Sequence, residues 1–241
     1  MCCNKALSRP FSRKLSTKSM NITTFEYPYK HIVVDGIIPS EMSYRIYDHC
    51  SEIEESTIDY TRDGEPDNSV EMSKNSIDQQ PLLLETVTYI ADKIDTVSRL
   101  FTGIYDEAYG KWTIEANEVN RNHGNFLTPH TDDPVEMLAK GYNPPLLRCL
   151  LYVACPKTNY SHYGTKIYVD GDRSSYVKEV EFVASRLLIF ECSDKSWHGT
   201  DFIHGLPHRR MFINGLYQKT ALGYGKEGIK RYWKRKNEDG S

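Results

Sequence analysis

The sequence predicts a mainly β protein with flanking helices. From Trp112 onward, short apolar or alternating segments are separated by turn signals about every 8 to 12 residues, which is typical of a sandwich or barrel. Two segments before that point have the pattern of helices. Hydrophobic residues make up 39% of the 241 residues and charged residues 26%. This composition suits one soluble domain with a buried core.

The first half of the chain is expected to contribute one strand and two helices. Residues 31–35 form an apolar strand pattern, and Pro39, Ser40 and Glu41 open a helix to about residue 54, because proline suits the first turn and an acid suits its positive end. A second helix is predicted over 82–104, where apolar residues recur at spacings of three and four. The polar segment 56–80 predicts a long loop, either a lid over a site or a mobile segment.

The second half of the chain is expected to be built from strands. An extended segment runs from Phe126 to Asp132, and further strands are predicted at 114–121, 146–154, 166–169, 177–183, 186–190, 197–203 and 209–217. Gly205, Leu206 and Pro207 predict a turn between the last two. His198 and Arg210 can therefore lie on neighbouring antiparallel strands.

The two ends of the sequence differ in composition from the middle. Residues 1–25 contain basic residues and serines but no acid, which predicts a disordered tail, with a mitochondrial transit peptide as the alternative. Residues 219–241 form a basic extension that is either a solvated terminus or a contact for an anionic partner. We expect one domain over 26–218, with helical support at 26–110 and a β core at 111–218.

The formal net charge of −3 gives no global field that would attract nucleic acid or a membrane surface. No apolar stretch has the length of a membrane span. Six cysteines occur without a CxxC pair, and Cys149, Cys155 and Cys192 lie in or beside predicted strands. Buried free thiols in a reducing compartment explain them better than a disulfide framework. We therefore expect an intracellular, cytoplasmic protein without nucleic-acid or membrane partners.

The segment around His130 contains two candidate functional residues. In an extended chain, side chains two residues apart point to the same face, so His130 and Asp132 converge on one point. A non-haem Fe(II) oxygenase needs two histidines and one carboxylate on one face of the metal. Because a His-x-Asp tripeptide also arises by chance, this reading depends on its context.

That context lies downstream. His198 follows the apolar run 186–190 in the sequence Ser-Trp-His-Gly-Thr, and Arg210 comes twelve residues later in another predicted strand. This order of elements resembles the Fe(II)/2-oxoglutarate-dependent oxygenase superfamily, particularly its prolyl-hydroxylase-like branch, over about residues 115–217. The resemblance implies a double-stranded β-helix, or jelly-roll, core. It also implies Fe(II) held by His130, Asp132 and His198.

The resemblance further implies 2-oxoglutarate as cosubstrate, dioxygen as oxidant and ascorbate as an optional supporting reductant. Arg210 would bind the far carboxylate of 2-oxoglutarate, since a guanidinium pairs with a carboxylate bidentately and stays charged when buried. Tyr152 matches the family position whose hydroxyl reaches the same carboxylate, with a core tyrosine as the alternative. Asn120 matches a position near the other carboxylate. Trp197 would wall the site or belong to the core.

At several positions the sequence differs from the patterns of particular relatives, which reduces the number of activities that fit it. Alternation assigns Arg209 to solvent, and Phe212 stands where many relatives carry serine. Phe212 and Leu216 also break the Arg-x-Asn-x-x-x-Arg pattern of the demethylases that repair alkylated bases. Related halogenases carry a small residue at the position of Asp132, so an intact carboxylate favours hydroxylation. The other histidines are expected to be structural or exposed.

The predicted activity is hydroxylation of an unactivated C–H bond in a small molecule or amino acid, or in a peptidyl residue such as proline, with release of succinate and carbon dioxide. The alternative is a cupin-like barrel that binds a metal or sugar without turnover. Such a barrel has no need for Arg210 beside its metal. We expect a monomer or a homodimer.

Overall fold

The computed structural model describes residues 20–52, 60–62, 65–67, 69–71, 81–98, 108–117, 125–133, 145–155, 163–203 and 210–219. Within these residues the protein consists of antiparallel β-sheets and two α-helices. The prediction of a mainly β protein with flanking helices is therefore confirmed.

The described strands, in chain order, are β1 (Asn21–Phe25), β2 (His31–Asp35), β3 (Tyr60–Arg62), β4 (Glu65–Asp67), β5 (Ser69–Glu71), β6 (Ala108–Asn117), β7 (Asn125–His130), β8 (Pro145–Val153), β9 (Thr165–Tyr168), β10 (Tyr176–Val180), β11 (Leu187–Glu191), β12 (His198–Ile203) and β13 (Arg210–Lys219). The helices are α1 (Ser40–Glu52) and α2 (Pro81–Ser98). The strands predicted in the second half all have counterparts here, with ends that differ by a few residues.

Among the described strands, seven form a larger sheet in the order β1-β2-β11-β8-β13-β6-β5, and four form a smaller sheet in the order β10-β9-β12-β7. Every paired edge is antiparallel. The order of the larger sheet interleaves strands from both halves of the chain. The hydrogen bond from the Tyr152 hydroxyl on β8 to Thr165 Oγ1 on β9, 2.7 Å long, joins the two sheets.

The core lies around the central strands of the larger sheet. Leu187 to Phe190 on β11 are all fully buried, because a strand covered on both faces carries a continuous apolar run. Helix α2 contributes Leu83, Ile90 and Val97, each fully buried and seven residues apart. This spacing is that of one helical face, so the predicted apolar stripe covers the core as expected.

The sequence-based boundary of the N-terminal tail was wrong at its last residues. Asn21 to Phe25 form β1, which pairs with β2 along its whole length at the edge of the larger sheet. Its first four residues are exposed, so this strand shows no alternation of apolar and polar residues that would have predicted it. Its β-branched residues still suit an extended edge. Residues 1–19 lie outside the described residues.

The prediction of a loop over 56–80 was also wrong for the part that the structure describes. Strands β3 and β4 pair with each other, and β5 pairs with β6 at the far edge of the larger sheet. In the sequence, Asp63 and Gly64 stand between β3 and β4. An Asp-Gly pair between two short strands is a strong hairpin signal, so the sequence contained the information.

The expected side-by-side arrangement of the last two strands does not occur. β12 pairs with β7 and β9 in the smaller sheet, whereas β13 pairs with β6 and β8 in the larger one. A short connection between consecutive strands can close a hairpin or cross from one sheet to the other, and local turn signals do not distinguish the two. His198 and Arg210 therefore belong to different sheets.

Three cysteines of the described part, Cys149, Cys155 and Cys192, are buried free thiols, as predicted. No helix in the described ranges is long and apolar enough to cross a membrane. The basic extension beyond residue 219 lies outside the described residues.

Candidate metal centre

The two histidines of the candidate site are cross-strand partners. β12 runs antiparallel to β7, and the register places His198 directly opposite His130. Side chains at opposed positions emerge on the same face with Cβ atoms about 5 Å apart. Their rings are tilted at 51° with centroids 4.3 Å apart. The pairing of β7 with β12 therefore brings together residues that are 68 positions apart in the sequence.

Each histidine is oriented by a backbone carbonyl two residues before it. His130 Nδ1 lies 2.9 Å from the carbonyl oxygen of Thr128, and His198 Nδ1 lies 2.8 Å from that of Ser196. A carbonyl can only accept, so Nδ1 is the protonated nitrogen in both rings. In the neutral rings Nε2 then carries the lone pair, which is the form that binds a metal.

Asp132 completes a group of three potential ligands. It lies two residues beyond the end of β7, and its side chain is only 3% exposed. One ligand atom from each of His130, Asp132 and His198 can be chosen so that all three lie within 4.8 Å of one another. The structure therefore brings these three side chains, which are distant in the sequence, close together.

The contact between Asp132 and His198 is compatible with a bound cation. Asp132 Oδ2 lies 3.5 Å from His198 Nε2, and both atoms are acceptors when Nδ1 carries the proton. Oδ2 is buried, and the Arg148 guanidinium lies beside it. Ligands at neighbouring positions around a metal, each about 2.1 Å from it, are about 3 Å apart. The three side chains are thus close enough together to become ligands of one divalent metal.

A buried arginine balances the carboxylate. Arg148 Nε on β8 lies 2.5 Å from Asp132 Oδ2, outside the angles of a hydrogen bond, so the contact is an ion pair. Burial alone would raise the pKa of Asp132, but Arg148, His198 and His130 together lower it well below its ordinary value. Asp132 is therefore a carboxylate at neutral pH.

The start of β12 is held by several contacts. The carbonyl oxygen of Trp197 accepts a hydrogen bond from the Tyr29 hydroxyl at 3.2 Å and another from the backbone of Tyr168 at 3.0 Å. The backbone around Gly171 packs so closely on the Trp197 ring that a Cβ at Gly171 would lie 2.9 Å from it. These contacts fix the backbone immediately before His198.

The charge of Asp132 affects the pKa values of Tyr29 and Cys192. Burial, followed by Asp132, raises the pKa of Tyr29 well above its ordinary value, and the same two causes raise the pKa of Cys192. Tyr29 is therefore a neutral donor to Trp197. Cys192 stays a protonated thiol, which is a poor metal ligand.

Tyr152 occupies a fully buried position on β8. Its ring stacks on Phe182 with centroids 4.6 Å apart, and its hydroxyl donates to Thr165. Alternation along β8 puts Tyr152 on the same face as Arg148. The predicted cosubstrate residue thus lies on the strand face that carries the counter-ion of Asp132.

The remaining predicted site residues are only partly described. Arg210 is the first residue of β13, where its backbone pairs with that of Asn117. Its side chain is not among the described ones, and Asn120 and Arg209 lie outside the described residues. Phe212, two residues after Arg210, is buried and lies opposite Tyr152 in the β8–β13 register.

Two residues of the site were missed from the sequence. Arg148 could have been found, because it is the one charged residue in the apolar segment 145–153. It also lies four residues before Tyr152, which puts the two side chains on the same face of a strand. Tyr29 carries no such signal. It precedes β2 in the chain, and only the folded structure brings its hydroxyl to Trp197.

The comparisons with known proteins rest on structure. No protein-family model and no curated protein sequence matches the chain. The crystal structure of a Pseudomonas putida prolyl-4-hydroxylase aligns with a TM-score of 0.49 and 14% identity, covering 79% of this chain and 88% of that one. The non-heme alpha ketoglutarate dependent epimerase SnoN from nogalamycin biosynthesis aligns with a TM-score of 0.58 and 8% identity, covering 78% of each chain. The chain therefore shares its fold with SnoN.

Proposed function

We propose that this chain is an Fe(II)- and 2-oxoglutarate-dependent dioxygenase whose iron ligands are His130, Asp132 and His198. The observation that carries the proposal is the buried Asp132 oxygen facing the His198 lone pair at 3.5 Å, with His130 beside them. Two histidines and one carboxylate, with other positions open, form the ligand set of non-haem Fe(II) oxygenases. The fold shared with an alpha-ketoglutarate-dependent enzyme supports the same assignment.

The residues around the donor set have separate tasks. An iron bound there would supply the reduction of dioxygen, coupled to decarboxylation of 2-oxoglutarate to succinate and carbon dioxide. The carbonyls of Thr128 and Ser196 hold the histidines in the ligating tautomer. Burial of Asp132 and His198, 3% and 4% exposed, keeps bulk water away from two of the three ligands.

We assign the binding of 2-oxoglutarate to Arg210, Tyr152 and Asn120. Arg210 would pair with the far carboxylate, and Asn120 would lie near the carboxylate next to the metal. The Tyr152 hydroxyl donates to Thr165 Oγ1, but both groups can donate and accept. If the Thr165 hydroxyl donates to Tyr152 instead, the Tyr152 proton becomes available to a carboxylate. The pair can thus serve a bound diacid without losing its own hydrogen bond.

The proposal extends to fold and substrate. We infer that the two sheets form a double-stranded β-helix in a single domain that begins with β1, ends with β13 and belongs to the prolyl-hydroxylase-like branch. The substrate would be a small molecule, an amino acid or a peptidyl residue such as proline, hydroxylated at an unactivated carbon. We propose a monomer or homodimer that acts without nucleic acid, with dioxygen as oxidant and ascorbate keeping the iron reduced.

The test is succinate formation from 2-oxoglutarate by purified protein with Fe(II), ascorbate and air, across a panel of amino acids and short peptides. We expect slow succinate release without substrate and faster release with the correct class. His130→Ala and Asp132→Ala should abolish it, because each removes an iron ligand. His49→Ala is the matched control, since His49 lies on helix α1 outside the donor set.

Arg210 is tested separately from its neighbour. Arg210→Ala should raise the 2-oxoglutarate concentration needed for half-maximal succinate release, whereas Arg209→Ala should leave it unchanged. Equal effects of the two variants would show that the assumed alternation along β13 is off by one residue. Metal binding that depends on His130, without any consumption of 2-oxoglutarate, would instead favour the cupin-like binding barrel.

A further inference from the structure

Arg148 is a charged residue at an interior position of the larger sheet. Its neighbours on β8, Leu147 and Cys149, are 1% and 0% exposed, and its own side chain is 16% exposed. Opposite it in the register stand Phe190 on β11 and Leu216 on β13. A charge is placed at such a position only with a compensating partner, because transferring it from water is costly.

The partner is the carboxylate of the proposed metal site. Arg148 Nε and His198 Nε2 approach the same oxygen, Asp132 Oδ2, at 2.5 Å and 3.5 Å. Asp132 and Arg148 together carry no net charge, and the two histidines are neutral in the ligating tautomer. A cation bound by this donor set therefore shares its only negative ligand with a fixed positive charge.

We propose that Arg148 determines which ligands the site accepts. It lowers the affinity of the site for a divalent cation alone and raises the affinity for an anionic chelator that binds beside that cation. The inference rests on the proposed metal site and adds the electrostatic role of a residue outside the ligand set. A fixed positive charge repels the cation and attracts a carboxylate in the neighbouring positions. The chemical class favoured is a bidentate chelator with a carboxylate, such as a 2-oxo acid or oxalate.

The experiment measures two affinities by titration calorimetry, using Co(II) as a redox-stable cation and oxalate as a chelator that cannot turn over. Co(II) is titrated into protein stripped of metal, and oxalate is then titrated into the Co(II)-saturated protein. We expect Arg148→Met to bind Co(II) about tenfold more tightly and oxalate about tenfold more weakly, which is the order expected for one nearby unit charge that solvent screens strongly. A merely structural role would move both affinities in the same direction.

Three variants serve as controls. Arg148→Lys keeps the charge and should restore both affinities towards those of the unmodified protein. Arg186→Met removes a similar ion pair, since Arg186 Nε lies 2.7 Å from Asp35 Oδ1 and its side chain is 17% exposed. It should lower the melting temperature without changing either affinity. If Arg148→Met does not fold, Arg148→Gln removes the charge and keeps a hydrogen-bond donor for Asp132.

The outcomes separate this inference from the proposed function. Absence of Co(II) binding by the unmodified protein would overturn the metal site and this inference with it. Co(II) binding that depends on His130, together with two affinities that fall in parallel or do not change when Arg148 is neutralised, would overturn the role of Arg148 alone.

Discussion

Removing Asp132 should destabilise the protein far more than removing His130, although each change removes one ligand of the proposed metal site. The carboxylate is 3% exposed and forms an ion pair with Arg148, which is 16% exposed. In Asp132→Ala the guanidinium is left buried without its counter-charge, which typically costs about 3–5 kcal/mol. His130 is partly exposed, and water can replace its bond to Thr128, so His130→Ala should cost less than about 1 kcal/mol.

The assay is thermal unfolding in the presence of EDTA, which removes any contribution from bound metal. For a chain of this size, each kcal/mol shifts the melting temperature by about 2–4 °C. Asp132→Ala should therefore melt roughly 6–20 °C below the unmodified protein. The double variant Asp132→Ala/Arg148→Met should recover much of this loss, because removing both partners of a buried pair is often close to neutral. Similar melting temperatures for Asp132→Ala and His130→Ala would refute the buried ion pair.

Three further changes test separate contacts. Burial lowers the pKa of His31 to about 4, so as the pH falls the unfolded chain takes up a proton at this residue before the folded protein does. Up to about 3 kcal/mol of stability that is present above pH 6.5 should therefore be lost as the pH falls to about 4. His31→Phe should reduce this pH dependence of the free energy of unfolding, measured by urea titrations at pH 7 and 4.5. Tyr29→Phe removes the hydroxyl that donates to Trp197, which should cost about 1 kcal/mol and weaken Co(II) binding measured by calorimetry. Gly164→Ala should lower the melting temperature sharply, because its Cβ would overlap the Val180 carbonyl oxygen, and overpacking of this kind costs about 1–3 kcal/mol or more.

The proximity of His130 and Asp132 could be predicted because it depends on a local rule. Alternation along an extended chain brings His130 and Asp132 to one face, and a second histidine at the start of a later strand completes the set. What the sequence did not reveal was how His198 reaches them. The structure answers this through the register of β12 on β7, which makes the two histidines direct partners.

One wrong prediction involves long-range pairing. His198 and Arg210 follow each other closely in the chain, and the turn signals between them favoured a hairpin, yet β12 and β13 join different sheets. Which sheet a strand joins is decided by the burial of its faces against distant elements, and turn residues carry no information on that. Arg148 was missed for a related reason. Its role depends on a carboxylate 16 positions away that reaches it from the other sheet.

His31 shows what distinguishes the proposed metal site from an ordinary buried histidine. Its Nδ1 lies 2.9 Å from the carbonyl oxygen of Tyr29, two residues before it, which is the arrangement found at both His130 and His198. It is fully buried, and its Nε2 has no hydrogen-bond partner among the described residues. The orienting carbonyl and the available lone pair are therefore not sufficient for a site.

The difference lies in what faces each lone pair. The His31 ring stacks on Phe25 at 4.8 Å, and the cation of Lys178 contributes to lowering its pKa, since it repels a proton or a metal alike. The His198 lone pair faces a carboxylate oxygen and lies beside a second histidine. Since a metal needs a negative ligand to offset its own desolvation, Asp132 would be the residue that distinguishes the proposed site from two oriented histidines alone. The charge balance around Asp132, shared with Arg148, should therefore govern metal binding more strongly than the orientation of either histidine.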